Sequence, residues 1–282
     1  MEFSQAYSMF SNDGIQVKPY IVSSITKSKW VAAPDGSLRG ENLEYVLNKP
    51  TSVEEAKQMV TDLYAFFNQN GTILNNSNRC SSHVHINMKG KKIHELTSIL
   101  ALWMVFEKAL IKWNGVSRES NHFCLSSNDS PQVAETWEKF LRKGLRQEWP
   151  RGLKYSALNI LPLYTLGSFE FRCGAPPNTA NQVISWFSFL SEMVAFATEK
   201  YKNPLNISQD LSERGAYQIL EEICENAKIP KLKQEIVDSC ASSIEEFEEI
   251  CMNGFRNAQP FIAVFPWDTW IEMANKEYVP NP

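Results

Sequence analysis

The chain has 282 residues, 43% of them hydrophobic, and a formal net charge of −4. That is enough for one large domain or two small ones with a sizeable core, and it is too apolar for disorder. The weak negative balance gives no general electrostatic pull toward nucleic acid or an anionic membrane, although a local basic site stays open. The start, Met1-Glu2-Phe3-Ser4-Gln5, has neither the basic region nor the apolar run of a signal peptide. The longest apolar run, Ile99 to Phe106, is far too short to span a bilayer. Six scattered cysteines form no C-x-x-C pair, which argues for reduced thiols and a cytoplasmic location.

Taken in chain order, the first fifty residues are β-rich. Trp30-Val31-Ala32-Ala33 and Leu43-Glu44-Tyr45-Val46-Leu47 flank a turn at Pro34-Asp35-Gly36-Ser37. A helix starts at Ser52, whose capping box closes with Glu55, and runs to about Asn70. The strand around His83-Val84-His85-Ile86 follows. Side chains alternate along a strand, so His83 and His85 share one face while Val84 and Ile86 take the other. The next helix, about Ile93 to Trp113, is apolar nearly all round, which predicts burial. A polar loop from Asn114 to Pro131 leads to a helix through Trp137 and Phe140.

Tyr155 to Leu161 and Gly167 to Cys173 are expected to form strands, paired as a hairpin. In the second, Ser168, Glu170 and Arg172 alternate with Phe169 and Phe171, one face to the core and one away from it. A helix from about Asn178 to Tyr201 carries Val183, Trp186, Phe187 and Leu190 at helical spacing. Beyond Leu211 the chain is mostly helical and acidic, with nothing that suggests chemistry.

Glu44, the two histidines, the Asn159 region and the Glu170/Arg172 pair thus fall on strands that can share one sheet. Carboxylates hold Mg²⁺, imidazole meets metal or phosphate, and guanidinium neutralises a phosphoryl group. There is no Gly-rich phosphate loop, so any nucleotide must be held by side chains and metal. Taken singly, each residue also has an ordinary structural reading. Histidines two apart on a strand are commonly hydrogen-bonded, alternating Glu and Arg are commonly a surface pair, and a loop arginine is commonly solvated.

In order, these segments resemble the amidoligase family, carboxylate–amine ligases related to glutamine synthetase and γ-glutamylcysteine synthetase. Asp35-Gly36-Ser37-Leu38 with Glu44-Tyr45-Val46 is similar to its opening signature, and Cys80-Ser81-Ser82-His83-Val84-His85 to its C-G-x-H-V-H segment. Arg118 with Asn121-His122-Phe123-Cys124 resembles R-x-x-N-x-Y-C. Lys154-Tyr155-Ser156-Ala157-Leu158-Asn159 and Ser168-Phe169-Glu170-Phe171-Arg172 resemble R/K-Y-x-x-L-N and T-I-E-F-R. The match covers roughly residues 30 to 200.

The resemblance implies an α+β protein with a glutamine-synthetase-like curved antiparallel sheet packed by helices. A catalytic domain would span residues 1–204, with a helical C-terminal extension, 205–282, packed on it. It implies an ATP- and Mg²⁺-dependent ligase in which ATP phosphorylates a carboxylate and an amine attacks the acyl phosphate. Carried over residue by residue, Glu2, Glu44, His83 and Glu170 would hold metal. Arg118 and Arg172 would stabilise the transferred group. Lys154, Asn159 and His85 would line the nucleotide or substrate side, His85 supporting its neighbours.

The partners would be small-molecule or peptide acids and amines, without membrane or nucleic acid; neither their identity nor the oligomeric state can be read from the residues. The chain departs from the family at its first strand, which should read G-x-E-x-E. Here Glu2 takes the place of the second glutamate, so that either the true start lies upstream or one metal site is incomplete, with Glu41 as a substitute near Glu44. Asn48-Lys49-Pro50 also replaces the family's Ser-Pro-Pro. Two rivals remain: a degenerate member of the fold serving as a binding module, and a metal-dependent hydrolase with zinc on His83, His85 and Glu170.

Overall fold

The computed structural model describes residues 7–8, 29–33, 44–72, 80–143 and 151–263. In chain order they form β1 (Tyr7–Ser8), β2 (Trp30–Ala33), β3 (Glu44–Leu47), α1 (Val53–Gln69), β4 (Ser82–Asn87), α2 (Ile93–Trp113) and α3 (Pro131–Lys143). Then come β5 (Leu158–Asn159), β6 (Ser168–Gly174), α4 (Ala180–Lys200), α5 (Asn206–Asn226), α6 (Lys231–Cys240) and α7 (Ile244–Ala263). The fold is mixed α+β. Two three-stranded antiparallel sheets, ordered β1-β3-β2 and β4-β6-β5, lie side by side with β1 next to β4.

Local sequence explains most of these boundaries. Ser52 accepts a hydrogen bond from the Glu55 amide at 3.2 Å and so caps α1. The other half of the expected box is not made: the Glu55 carboxylate takes the Thr51 hydroxyl at 2.5 Å instead. At α4 the reciprocal box does form, between Thr179 and Gln182. The expected strand over Tyr155 to Leu161 shrinks to Leu158–Asn159 between two short 3₁₀ turns. Ser156 Oγ binds the carbonyls of Leu153 and Leu158, and Pro162 follows directly, so the chain curls at both ends of the pairing. The hairpin with β6 is nonetheless present, Asn159 opposite Glu170.

The core is built around α2, which is buried along almost its whole length, as its all-round apolar sequence predicts. Trp103 meets Phe171 of β6 edge-on at 5.2 Å, so one side of α2 lies against the apolar face of the second sheet. Its remaining sides are taken by α4, α6 and α7. One hydrophobic cluster runs through residues 30–201 and 207–262 alike. The change near residue 204 is therefore one of secondary structure, and the C-terminal helices are part of the same core. None of the six cysteines is in a disulfide, and all are buried. No helix among the described residues is long and apolar enough to cross a membrane.

Two contacts fix the surroundings of α2. Glu107, completely buried, accepts from Trp103 Nε1, Ser126 Oγ, Asn128 Nδ2 and the amides of Ser127 and Asn128, at 2.9–3.0 Å. Its carboxylate thus ties the polar loop to the helix. On another side, α7 crosses so closely that a Cβ on Gly254 would stand 2.1 Å from the Met104 carbonyl oxygen. An exposed helical Gly→Ala change stabilises by up to about 1 kcal/mol. Here the helices must separate, so we expect Gly254→Ala to cost about 2–3 kcal/mol in urea unfolding. A gain in stability would refute this account of the crossing.

Candidate functional site

The β4-β6-β5 sheet has one apolar and one polar face, and strand periodicity decides which residue goes where. Val84, Ile86, Phe169 and Phe171 point to the core. His83, His85, Ser168, Glu170, Arg172 and Asn159 share the opposite face. Register puts His85, Glu170 and Asn159 in one row across the three strands. An irregularity in the pairing between Ser82 and Val84 sets His83 beside Arg172.

Glu170 is the hub. Its Oε1 accepts from Arg172 Nη1 at 2.6 Å and from His83 Nδ1 at 3.2 Å, and its Oε2 accepts from Asn159 Nδ2 at 2.7 Å. His85 Nε2 stands 3.6 Å from Oε1, too far for a good hydrogen bond. The outer nitrogens of both imidazoles rest on serines: His83 Nε2 on Ser81 Oγ at 2.6 Å, and His85 Nδ1 on Ser168 Oγ at 3.0 Å. For His83, buried beside Arg172, the pattern is that of a neutral ring carrying its proton on Nδ1, facing Glu170, and accepting at Nε2 from Ser81.

Charge follows from burial and neighbours. His83 is pushed down to about 4 by burial and by the Arg172 cation, against the pull of Glu170, so it is neutral near pH 7. Burial would raise the Glu170 carboxyl, but the hydrogen bond from His83, the nearby His85 ring and the Arg172 charge outweigh it and hold it well below the ordinary carboxylate range. The cluster is a buried Glu170 carboxylate paired with a half-buried Arg172 between two imidazoles. Tyr155 completes its edge, its ring centre 5.9 Å from the Arg172 guanidinium carbon and 4.7 Å from Lys154 Nζ.

The structure thus brings together His83, His85, Asn159, Glu170 and Arg172. Lys154 is exposed and joins them only through Tyr155. Asn159 has both ends of its amide engaged, Nδ2 with Glu170 and Oδ1 with the Leu161 amide at 3.0 Å. Arg118 is not a solvated loop residue: it is 1% exposed, and its terminal nitrogens donate to the carbonyls of Cys80 at 3.2 Å and Arg172 at 3.0 Å. Glu44 opens β3 in the neighbouring sheet, away from the strands that carry the histidines. Glu2 and Glu41 lie outside the described residues. Sequence reasoning missed Ser81 and Tyr155. Ser81 was findable, because it precedes His83 by two residues and shares its face.

Mg²⁺ takes hard oxygen ligands in octahedral geometry. The cluster offers one carboxylate, with a guanidinium nitrogen already 2.6 Å from it. No group of three or more His, Cys, Asp or Glu side chains among the described residues stands ready to hold a metal. The described residues therefore do not fit a divalent ion here. The cavity bordering Asn159 measures about 10 Å³, room for a single water. In comparisons with family models, curated proteins and solved structures, nothing matches this chain.

Two outcomes are expected. Glu170→Gln leaves the half-buried Arg172 charge without its counter-ion and should cost about 2–3 kcal/mol in urea unfolding near pH 7. Adding Arg172→Met should recover part of that loss. A cost near zero for Glu170→Gln would show that the pair is solvated.

The second outcome is a pH slope. With His83 lowered from 6.5 to about 4, the unfolded chain binds a proton in that window and the folded chain does not. Stability therefore falls as pH drops from 6.5 toward 4, by about 2 kcal/mol for this group between about pH 7.5 and pH 5. Glu170, also lowered, adds stability that is present above the ordinary carboxylate pKa and is lost only at lower pH, as its folded value is passed. His83→Gln should flatten the upper part of the slope; an unchanged slope would place the titration elsewhere.

Proposed function

We propose that the chain is a carboxylate–amine ligase of the amidoligase kind, with the polar face of β4-β6-β5 as its site. The supporting observation is the row His85–Glu170–Asn159 with Arg172 beside it. Residues that the resemblance selects from three separate segments share one face, opposite a wall of core side chains. A glutamine-synthetase-like sheet is part of this proposal; β1 lying next to β4 agrees with it, since it brings the two short sheets into one neighbourhood.

In this reading Arg172 is the anion-binding group, and Glu170 holds it until an anionic ligand competes for the guanidinium. His83, neutral and seated between Glu170 and Ser81, can donate a hydrogen bond from Nδ1 and accept one at Nε2 without adding charge to the face. Asn159 orients the Glu170 carboxylate, and Tyr155 limits where the Arg172 plane can lie. ATP and Mg²⁺ belong to the proposal through the resemblance alone, and no step is assigned to them.

The second reading, a non-catalytic binding module, is favoured by the same cluster. Glu170 and Arg172 neutralise each other, and the described residues present no metal-ready group. The zinc hydrolase has no such support, because its three ligands already face one another and Arg172.

Isothermal titration of a non-hydrolysable ATP analogue, with and without Mg²⁺, separates the two. The ligase reading expects metal-dependent binding that is lost in Arg172→Gln, and ATP turnover only when an acid and an amine are both supplied. Absence of binding under either condition would overturn it in favour of the binding module.

A further inference from the structure

A second feature lies away from the polar sheet face. The C-terminal half of α2 and the loop that follows it enclose a cavity of about 340 Å³, the size of an ordinary small-molecule site. Its walls carry Lys108, Lys112, Arg118 and His122, together with Glu119 and Asp129. None of the three permanent cations takes part in an ion pair among the described residues.

Each has an ordinary explanation that falls short. Lys108 and Lys112 are one helical turn apart on the same side of α2, where like charges repel. Lys112 sits in the last turn, which favours a cation; its ammonium reaches the Cys240 carbonyl at 3.5 Å and stands near enough to Glu246 to help lower that carboxyl. Lys108 is exposed and forms no ion pair among the described residues. Arg118 is the stronger case. Buried charges are ordinarily paired, because water has been stripped from them. Its guanidinium is buried against two main-chain carbonyls and the Cys124 thiol, whose pKa it helps to lower, and its Nε has no hydrogen-bond partner among the described residues. The walls carry these three cations against the exposed carboxylates of Glu119 and Asp129, and the buried Glu107 carboxylate lies behind the wall, accepting from Ser126.

We propose that this cavity binds a small molecule bearing an oxyanion, held between the Lys108 and Lys112 ammonium groups and the field of Arg118. Carboxylates and phosphate esters share that chemistry. The site does not depend on the ligase reading. It does touch the sheet, because Arg118 also holds the Arg172 carbonyl, so the ligand would stiffen the backbone from which Arg172 projects.

The test is calorimetric titration of the full chain with inorganic phosphate and, separately, with succinate, at constant ionic strength set by chloride. Wild type should bind at least one of the two with a Kd of about 1 mM or tighter. Binding to phosphate alone assigns a phosphate ester, and binding to succinate alone a carboxylate. In Lys108→Gln/Lys112→Gln, which spares the buried arginine, affinity should fall at least tenfold. In Lys57→Gln/Lys139→Gln, which removes the same charge from lysines outside the cavity, it should stay within about twofold. Unfolding midpoints without ligand confirm that both variants are folded. No binding to either probe at about 10 mM, or an equal loss in the two variants, would overturn the proposal.

Discussion

Helix α2 has no face it can give to water. Apart from Lys108, its residues from Leu96 to Ile111 are buried, and every neighbouring element is positioned by the need to cover them. The sheet takes one side, through Phe171 against Trp103; α4, α6 and α7 take the others. The apolar area in such a helix is worth roughly 25 cal/mol per Å² removed from water, so an uncovered side would forfeit several large side chains at once. That is why the acidic C-terminal helices are not dispensable: each gives its apolar stripe to the same core, and Asp210, a buried charge among them, is held by the Tyr201 hydroxyl. It also explains Gly254, since only a residue without Cβ lets α7 approach the Met104 carbonyl closely enough.

The same constraint creates the polar face. Once Phe169 and Phe171 are committed to α2, the pleat of β6 forces Ser168, Glu170 and Arg172 to the other side, and pairing brings the β4 histidines and Asn159 alongside. A carboxylate held there away from water must be neutralised. Arg172 does so directly, and the His83 imidazole stays uncharged because burial and then the Arg172 cation oppose a second positive charge there. Function and stability therefore draw on the same groups. A change that frees Arg172 for a ligand also removes the compensation of Glu170.

How much of this was legible follows from the range of each interaction. Strand periodicity is local, so the shared face of His83 and His85, and the alternation of Glu170 and Arg172 with two phenylalanines, could be read directly. So could the Ser52 cap and the burial of α2. What escaped was settled by partners distant in sequence. Nothing near Asn159 says that its amide will meet a carboxylate eleven residues on rather than a ligand. Nothing in a polar loop says that Arg118 will be drawn under the sheet onto the carbonyls of Cys80 and Arg172. Glu107 reads as one polar interruption in an apolar helix, and only the folded loop supplies its donors. The shortened β5 had a local cause, Ser156 and Pro162, that β-propensity obscures.

The two arginines, Arg118 buried and Arg172 half-buried, then differ in what they offer an anion. Arg172 has a carboxylate at 2.6 Å, so any anion approaching it must match an interaction already made. Arg118 has two carbonyl dipoles and the Cys124 thiol beside it and no carboxylate in an ion pair among the described residues, and a carbonyl offers a fraction of the charge a carboxylate does. An anion near Arg118 gains attraction without displacing a competitor, whereas one near Arg172 gains only the difference between itself and Glu170. Because Arg118 grips the main chain at Arg172, a charge placed in its cavity acts on the strand that presents the other arginine. The fold thus sets a neutralised, hydrogen-bonded cluster on the polar face of β6 and, gripping the Arg172 carbonyl, a second guanidinium with no carboxylate ion-paired to it among the described residues. The unequal state of these two guanidinium groups points to the loop cavity as the first place an anion would settle.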